Sequence, residues 1–115
     1  MIVTGSTGEY GALTDDERQR VQKTVIDAAR GSGMTVIAGT SHMASLACIE
    51  LTKAAEELGA DGVMITPPLA ATNGSGLPAI LHHYDTVTSA TQTGVVIYFS
   101  GAVRWQVQEV IADPS

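Results

Sequence analysis

Four short apolar runs recur along this chain at nearly constant spacing, and that recurrence limits the fold more than any other feature. The runs are Ile2-Val3-Thr4, Thr35-Val36-Ile37-Ala38, Val63-Met64-Ile65-Thr66 and Val95-Val96-Ile97-Tyr98, so successive starts lie 33, 28 and 32 residues apart. Each run is continuously apolar rather than alternating, the pattern of a strand buried on both faces of a parallel sheet. Hairpin turns cannot account for such intervals; crossover helices can.

The intervening segments carry helix signals. Thr14-Asp15-Asp16-Glu17 reads as a capping box, in which the threonine hydroxyl accepts from the Glu17 amide and the Glu17 carboxylate reaches back. Val21, Val25 and Ala28 follow at helical spacing, and Gly31 and Gly33 end the segment. A second helix sets Ala47, Leu51, Ala54 and Leu58 on one face, opposite Glu50, Lys53, Glu56 and Glu57, with Gly59 as its stop. A third carries Leu77, Ile80, Leu81, Tyr84 and Val87 on one stripe, and a fourth begins with Val103, Val107, Val110 and Ile111. The pattern predicts an α/β chain of four βα units in one domain over residues 1–115. Doubly wound open sheets and (β/α)8 barrels both use such units, and periodicity leaves both open. A full barrel takes about 250 residues; the chain would supply about half of one, or the whole of a flavodoxin-like sheet.

Composition narrows the partners. Six basic against twelve acidic residues give a net charge of −6, the wrong sign for a nucleic-acid surface. Cys48 is the sole cysteine, which excludes an internal disulfide framework. No apolar run approaches the roughly 18 residues of a membrane helix, and Ile2-Val3 follows Met1 with no basic region or cleavage site of a signal peptide. The expectation is a cytoplasmic protein with neither a nucleic-acid nor a membrane partner.

In either architecture ligands meet the carboxyl ends of the strands. Those ends read Thr4-Gly5-Ser6-Thr7-Gly8-Glu9, Gly39-Thr40-Ser41-His42, Thr66-Pro67-Pro68 and Tyr98-Phe99-Ser100-Gly101. Hydroxyls, glycines and a phenol therefore gather on one side, as suits a small polar ligand. Gly5 and Gly8 allow a tight turn whose amides can approach an anion, and Ser6 and Thr7 add hydroxyls. The spacing is neither a Walker loop nor a dinucleotide fingerprint, and an ordinary βα turn accounts for it equally well. His42 reads as a hydrogen-bonded loop histidine, and Cys48 as a small apolar helix residue. His82-His83 has no second ligand pair at metal-binding spacing, so no metal or other cofactor is expected.

The same landmarks, with Leu13-Thr14, Glu17-Arg18, Val36-Ile37-Ala38-Gly39-Thr40, Ala54-Ala55-Glu56-Glu57-Leu58-Gly59-Ala60-Asp61-Gly62, Thr66-Pro67-Pro68 and Ile97-Tyr98, resemble the dihydrodipicolinate synthase / N-acetylneuraminate lyase family. The resemblance implies roughly half of a (β/α)8 TIM barrel, strands two to five. It also implies a Schiff-base lyase that joins pyruvate or a related 2-oxo acid to an aldehyde, or parts them. By that resemblance Gly5, Ser6, Thr7 and Gly8 bind the 2-oxo acid carboxylate. Ser6 belongs to a proton relay, and Tyr98 moves protons during the carbon–nitrogen and carbon–carbon steps. The family's Schiff-base lysine would lie about one βα unit, or ~30 residues, beyond Tyr98. The residues after Tyr98 run only to Ser115 and include no lysine.

Two departures bear on the substrate. Pro68 and Leu69 stand where the family often has an aromatic pair, and Tyr98-Phe99-Ser100-Gly101-Ala102-Val103 replaces Tyr-Asn-x-Pro-x-Arg, with Arg104 one place late. A synthase and a sugar-acid lyase or dehydratase both remain open. The expectation is a fragment inactive alone and assembled as a homo-oligomer; the alternative is a non-catalytic half-barrel that self-associates or binds a small oxo-acid.

Overall fold

The computed structural model describes residues 1–5, 8–68 and 76–98, the Leu77 side chain excepted. Its elements run β1 (Ile2–Val3), a 3₁₀ turn (Tyr10–Ala12), α1 (Asp15–Ala29), β2 (Ile37–Gly39), α2 (Ser45–Leu58), β3 (Gly62–Ile65), α3 (Gly76–Ala90) and β4 (Val95–Ile97). The four strands are parallel and lie in sequential order, β1-β2-β3-β4. A doubly wound sheet reverses its strand order at a switch point; no reversal occurs among these four. The fourth helix, read over 103–111, lies outside the described residues.

Register assigns each strand residue to a face. Ile2 pairs with Ile37 and Ile37 with Gly62, while Gly39 pairs with Met64 and Met64 with Val96. Side chains alternate along a strand, so Val3, Val36, Ala38, Val63 and Ile65 share the other face. These five are buried against Ile26 of α1, Cys48 and Ala55 of α2, and Ile80, Tyr84 and Val87 of α3. Among the described residues the first face is covered less evenly: Met64 of the central strand is 7% exposed, whereas Ile2 is 57% and Val96 49%. Continuous apolarity therefore means complete burial only for β3, where every residue is buried; β1 and β4 stand at the open edges.

The helix boundaries follow the sequence signals, and the helix faces do so less well. The capping box forms as expected, with the Glu17 N–H donating to Thr14 Oγ1 at 3.2 Å and the Thr14 N–H to Glu17 Oε2 at 2.8 Å. Gly59 ends α2 in the left-handed conformation at φ +95°, and its N–H donates to the Ala55 and Glu56 carbonyls. On α1 the expected stripe is corrected: Val21 and Ala28 are exposed, and the buried residues are Arg18, Gln22 and Ile26. On α2 the buried set is Cys48, Leu51, Thr52 and Ala55, so the core face is turned by about one residue from the expected one. On α3 Ile80, Tyr84 and Val87 are buried as the stripe requires.

Candidate functional site

The carboxyl ends of the strands are stitched to one another through hydroxyls and carbonyls. The Thr66 N–H donates to Ser41 Oγ at 2.9 Å, and the Thr40 N–H to the Met64 carbonyl at 3.2 Å. Thr40 Oγ1 and Thr52 Oγ1 lie 2.9 Å apart, both fully buried, and the Cys48 thiol donates to the Thr40 carbonyl at 3.3 Å. Burial pushes that thiol's pKa up, so Cys48 is a core residue rather than a nucleophile. The Ile65 carbonyl accepts both the Tyr84 hydroxyl at 2.8 Å and the Tyr98 N–H at 3.1 Å.

The first loop leaves β1 through a strained residue. Thr4 has φ +54°, a conformation rarely adopted by a β-branched side chain. Three donors meet on the Gly39 carbonyl beside it: Thr4 Oγ1 at 3.0 Å, Gln22 Nε2 at 3.0 Å and Arg18 Nη2 at 2.9 Å. Gln22 Nε2 also donates to Thr4 Oγ1 at 2.8 Å, and Arg18 Nη1 to the Ser41 carbonyl at 2.9 Å. Arg18 is 3% exposed, and its guanidinium lies 4.7 Å from the Tyr10 ring centroid. That stacking and the carbonyls it faces offset part of its burial cost. Neither Arg18 nor Gln22 was legible as a core residue by hydrophobicity, although with Ile26 they fall at i, i+4 and i+8.

Of the expected ligand residues, Gly5 is buried on the face of Met64 and Val96, where a β-carbon would sit 3.1 Å from Met64 Cε and 3.3 Å from Ile2 Cγ2. Gly8 folds back on the same turn: its β-carbon would lie 3.3 Å from the Gly5 carbonyl oxygen and 3.4 Å from Thr4 Cα. A side chain at either position would thus press on its neighbours, at Gly5 on two side-chain ends and at Gly8 on backbone atoms. Ser6 and Thr7 lie outside the described residues. Tyr98 ends β4 at 42% exposure, and alternation assigns it to the face of Met64 and Val96. Pro68 is buried, and Leu69 lies outside the described residues.

The histidines take local roles. His42 Nδ1 accepts the Ala44 N–H at 3.0 Å. His83, 2% exposed, pairs its Nδ1 with Ser45 Oγ at 2.9 Å and so joins α3 to α2. Burial, then His42 and His82, hold its pKa below the usual imidazole value. Among the described residues no group of three His, Cys, Asp or Glu side chains could hold a metal ion, and no helix is long and apolar enough to cross a membrane. Lys23 and Lys53 are both exposed on helices, with Lys23 paired to Asp27. Two surface hollows lie elsewhere: about 400 Å³ along α1 beside Leu13, Val21 and Val25, and about 350 Å³ at the amino ends of the strands beside Gly33, Val36 and Asp61.

Residues 1–103 match the Dihydrodipicolinate synthetase family. The chain is 36% identical over 98 residues to 4-hydroxy-tetrahydrodipicolinate synthase 1 of Halalkalibacterium halodurans, covering 85% of this chain and 32% of that protein. It superimposes on the dihydrodipicolinate synthase of Acinetobacter baumannii, solved with pyruvate, at a TM-score of 0.79 and 31% identity, over 86% of this chain and 33% of that one. A pyruvate complex of an E. coli K12 prophage protein of the same family gives a TM-score of 0.76 at 25% identity, over 86% and 32% of the two chains. The chain spans about a third of the length of these relatives. Its four parallel strands and their helices correspond to part of the family's TIM barrel, and the chain belongs to the dihydrodipicolinate synthetase family.

Proposed function

We propose that this chain provides the carboxylate-binding side of a cytoplasmic Schiff-base lyase that acts on pyruvate or a related 2-oxo acid together with an aldehyde. The observation that carries the reading is the close approach of Gly5 and Gly8 to Thr4, Ile2 and Met64 at the strand carboxyl ends, on the face of Met64 and Val96. Two family relatives solved with pyruvate support the ligand class. In this reading the amides and hydroxyls of Gly5, Ser6, Thr7 and Gly8 hold the carboxylate, and the Tyr98 phenol and Ser6 hydroxyl relay protons.

The covalent step needs an amine. A lysine attacks the 2-oxo carbon, water leaves, and the iminium then loses a proton from the adjacent carbon to become the enamine that meets the aldehyde. Lys23 and Lys53 stand on exposed helical positions, and Lys23 is committed to Asp27. Neither supplies that amine, so the 115-residue chain binds the acid without trapping it. Incubation with pyruvate and borohydride, followed by peptide mass analysis, tests this: no adduct is expected. A stoichiometric adduct on Lys23 or Lys53 would overturn it.

A second reading is favoured, among the described residues, by the exposed Ile2 and Val96 and by outer strands that carry no charge, Ile2–Val3 and Val95–Ile97. Unprotected edges of this kind pair with other chains. The half-barrel then self-associates, and sedimentation of the chain should show a species larger than a monomer. A monomer at all concentrations would remove this reading and leave the first standing.

A further inference from the structure

We infer that Gln22, assisted by Arg18, is a positioning residue that holds Thr4 in its left-handed conformation and thereby aims the loop containing Gly5 and Gly8. Gln22 is fully buried in the middle of α1, yet it contributes no apolar surface worth the position. Its Oε1 has no partner among the described residues. What it does contribute is one amide nitrogen divided between Thr4 Oγ1 at 2.8 Å and the Gly39 carbonyl at 3.0 Å.

Those two acceptors fix the strained residue from both sides. Thr4 Oγ1 accepts from Gln22 and donates to Gly39, so the hydroxyl cannot turn away without losing both bonds. The Gly39 carbonyl is held in place by Arg18, whose other arm grips the Ser41 carbonyl two residues on. The planar guanidinium fork presents its two arms to the two carbonyls in one fixed geometry. Next in the chain stands Gly5, and Gly8 returns to lie against Gly5 and Thr4. The φ angle of Thr4 therefore sets the direction in which Gly5 leaves β1. Relaxation of Thr4 to an ordinary negative φ would swing Gly5 off Met64 and open the turn.

Glycine adopts positive φ without steric cost, which provides a test specific to this role. In the isotopically labelled 115-residue chain, the amide and α protons of one residue lie closest at positive φ, so Thr4 should show an intense intraresidue cross-relaxation peak. Gln22→Met keeps the volume and removes the donor. It should reduce that peak to ordinary intensity and shift the Gly5 and Gly8 amides while the rest of the spectrum stays in place. The double variant Gln22→Met with Thr4→Gly should return the Gly8 amide to its original position. An unmoved Thr4 peak in Gln22→Met, or no recovery in the double variant, overturns the inference. Should Gln22→Met unfold, a folded double variant supports it and an unfolded one overturns it.

The pyruvate arm rests on the proposed carboxylate site. Affinity should fall about tenfold in Gln22→Met, the scale of one net hydrogen bond, and recover in the double variant. A parent chain that binds no pyruvate defeats the carboxylate reading alone, because the Thr4 and Gly8 signals decide the role of Gln22 without any ligand.

Discussion

The two faces of the sheet are built from similar residues and have opposite surroundings. On the helix face Val36, Ala38, Val63 and Ile65 are at most 2% exposed, locked between strands and three helices. On the other face Met64 of the central strand β3 is 7% exposed, but among the described residues Ile2, Val96 and Tyr98 beside the edge strands are each more than 40% exposed. Sequence apolarity does not distinguish them. A βα unit completes its outer contact by itself, since each strand brings its own helix, whereas the inner contact of a barrel needs strands from the opposite wall. Local units thus build one face, and only closure builds the other.

The sharpest way to break that contrast is to truncate a strand side chain on each face. Ile65→Ala on the helix face should cost about 2–5 kcal/mol, the range for a buried isoleucine that leaves a cavity, and denaturant melts should show it as a large fall in midpoint. Tyr84→Phe, on the same face, removes only the hydroxyl bond to the Ile65 carbonyl. That carbonyl keeps the Tyr98 N–H, so the loss should be about 1 kcal/mol.

A pH series probes the helix face from another direction. His83 in the fold has its pKa depressed by burial and by His42 and His82, so on acidification the unfolded chain takes up its proton first. The stability held above the unfolded imidazole value of about 6.5 should therefore drain away as pH falls through the lower folded value. His83→Gln should flatten this part of the profile; an unchanged slope would place the acid sensitivity elsewhere. The smallest effect belongs to the open face. Val96→Ala should move the midpoint by no more than about 0.5 kcal/mol in a dilute chain. A loss on the scale of Ile65→Ala would mean that this face is covered in solution.

The spacing of the apolar runs was enough to read four parallel strands with helices between them, and the glycines and the Thr14–Glu17 pair were enough to place helix ends. What escaped was which residues face inward on α1, because Arg18 and Gln22 are polar and their burial is repaid by the Gly39 and Ser41 carbonyls and the Thr4 hydroxyl rather than by apolar contact. The same polar layer was hidden at the site. Gly5 and Gly8 announce a turn by their type, but a threonine at position 4 gives no sign of a positive φ, since that angle is imposed by partners 18 and 35 residues away. Periodicity left barrel and open sheet both open, because helices of similar length serve both; the family resemblance pointed to the barrel, and the sequential strand order agrees with it.

Gly39 has a consequence for any effort to diversify this protein. A β-carbon at that position would lie 2.2 Å from the Thr4 carbonyl oxygen and 2.8 Å from its carbon, and neither backbone can retreat without dragging the turn with it. A saturation library at codon 39, selected for chains that stay folded, should return glycine almost alone, while libraries at the exposed Val21 and Leu46 nearby accept broad replacement. Among the described glycines, the narrowest point in sequence space is thus Gly39, a residue with no side chain at all.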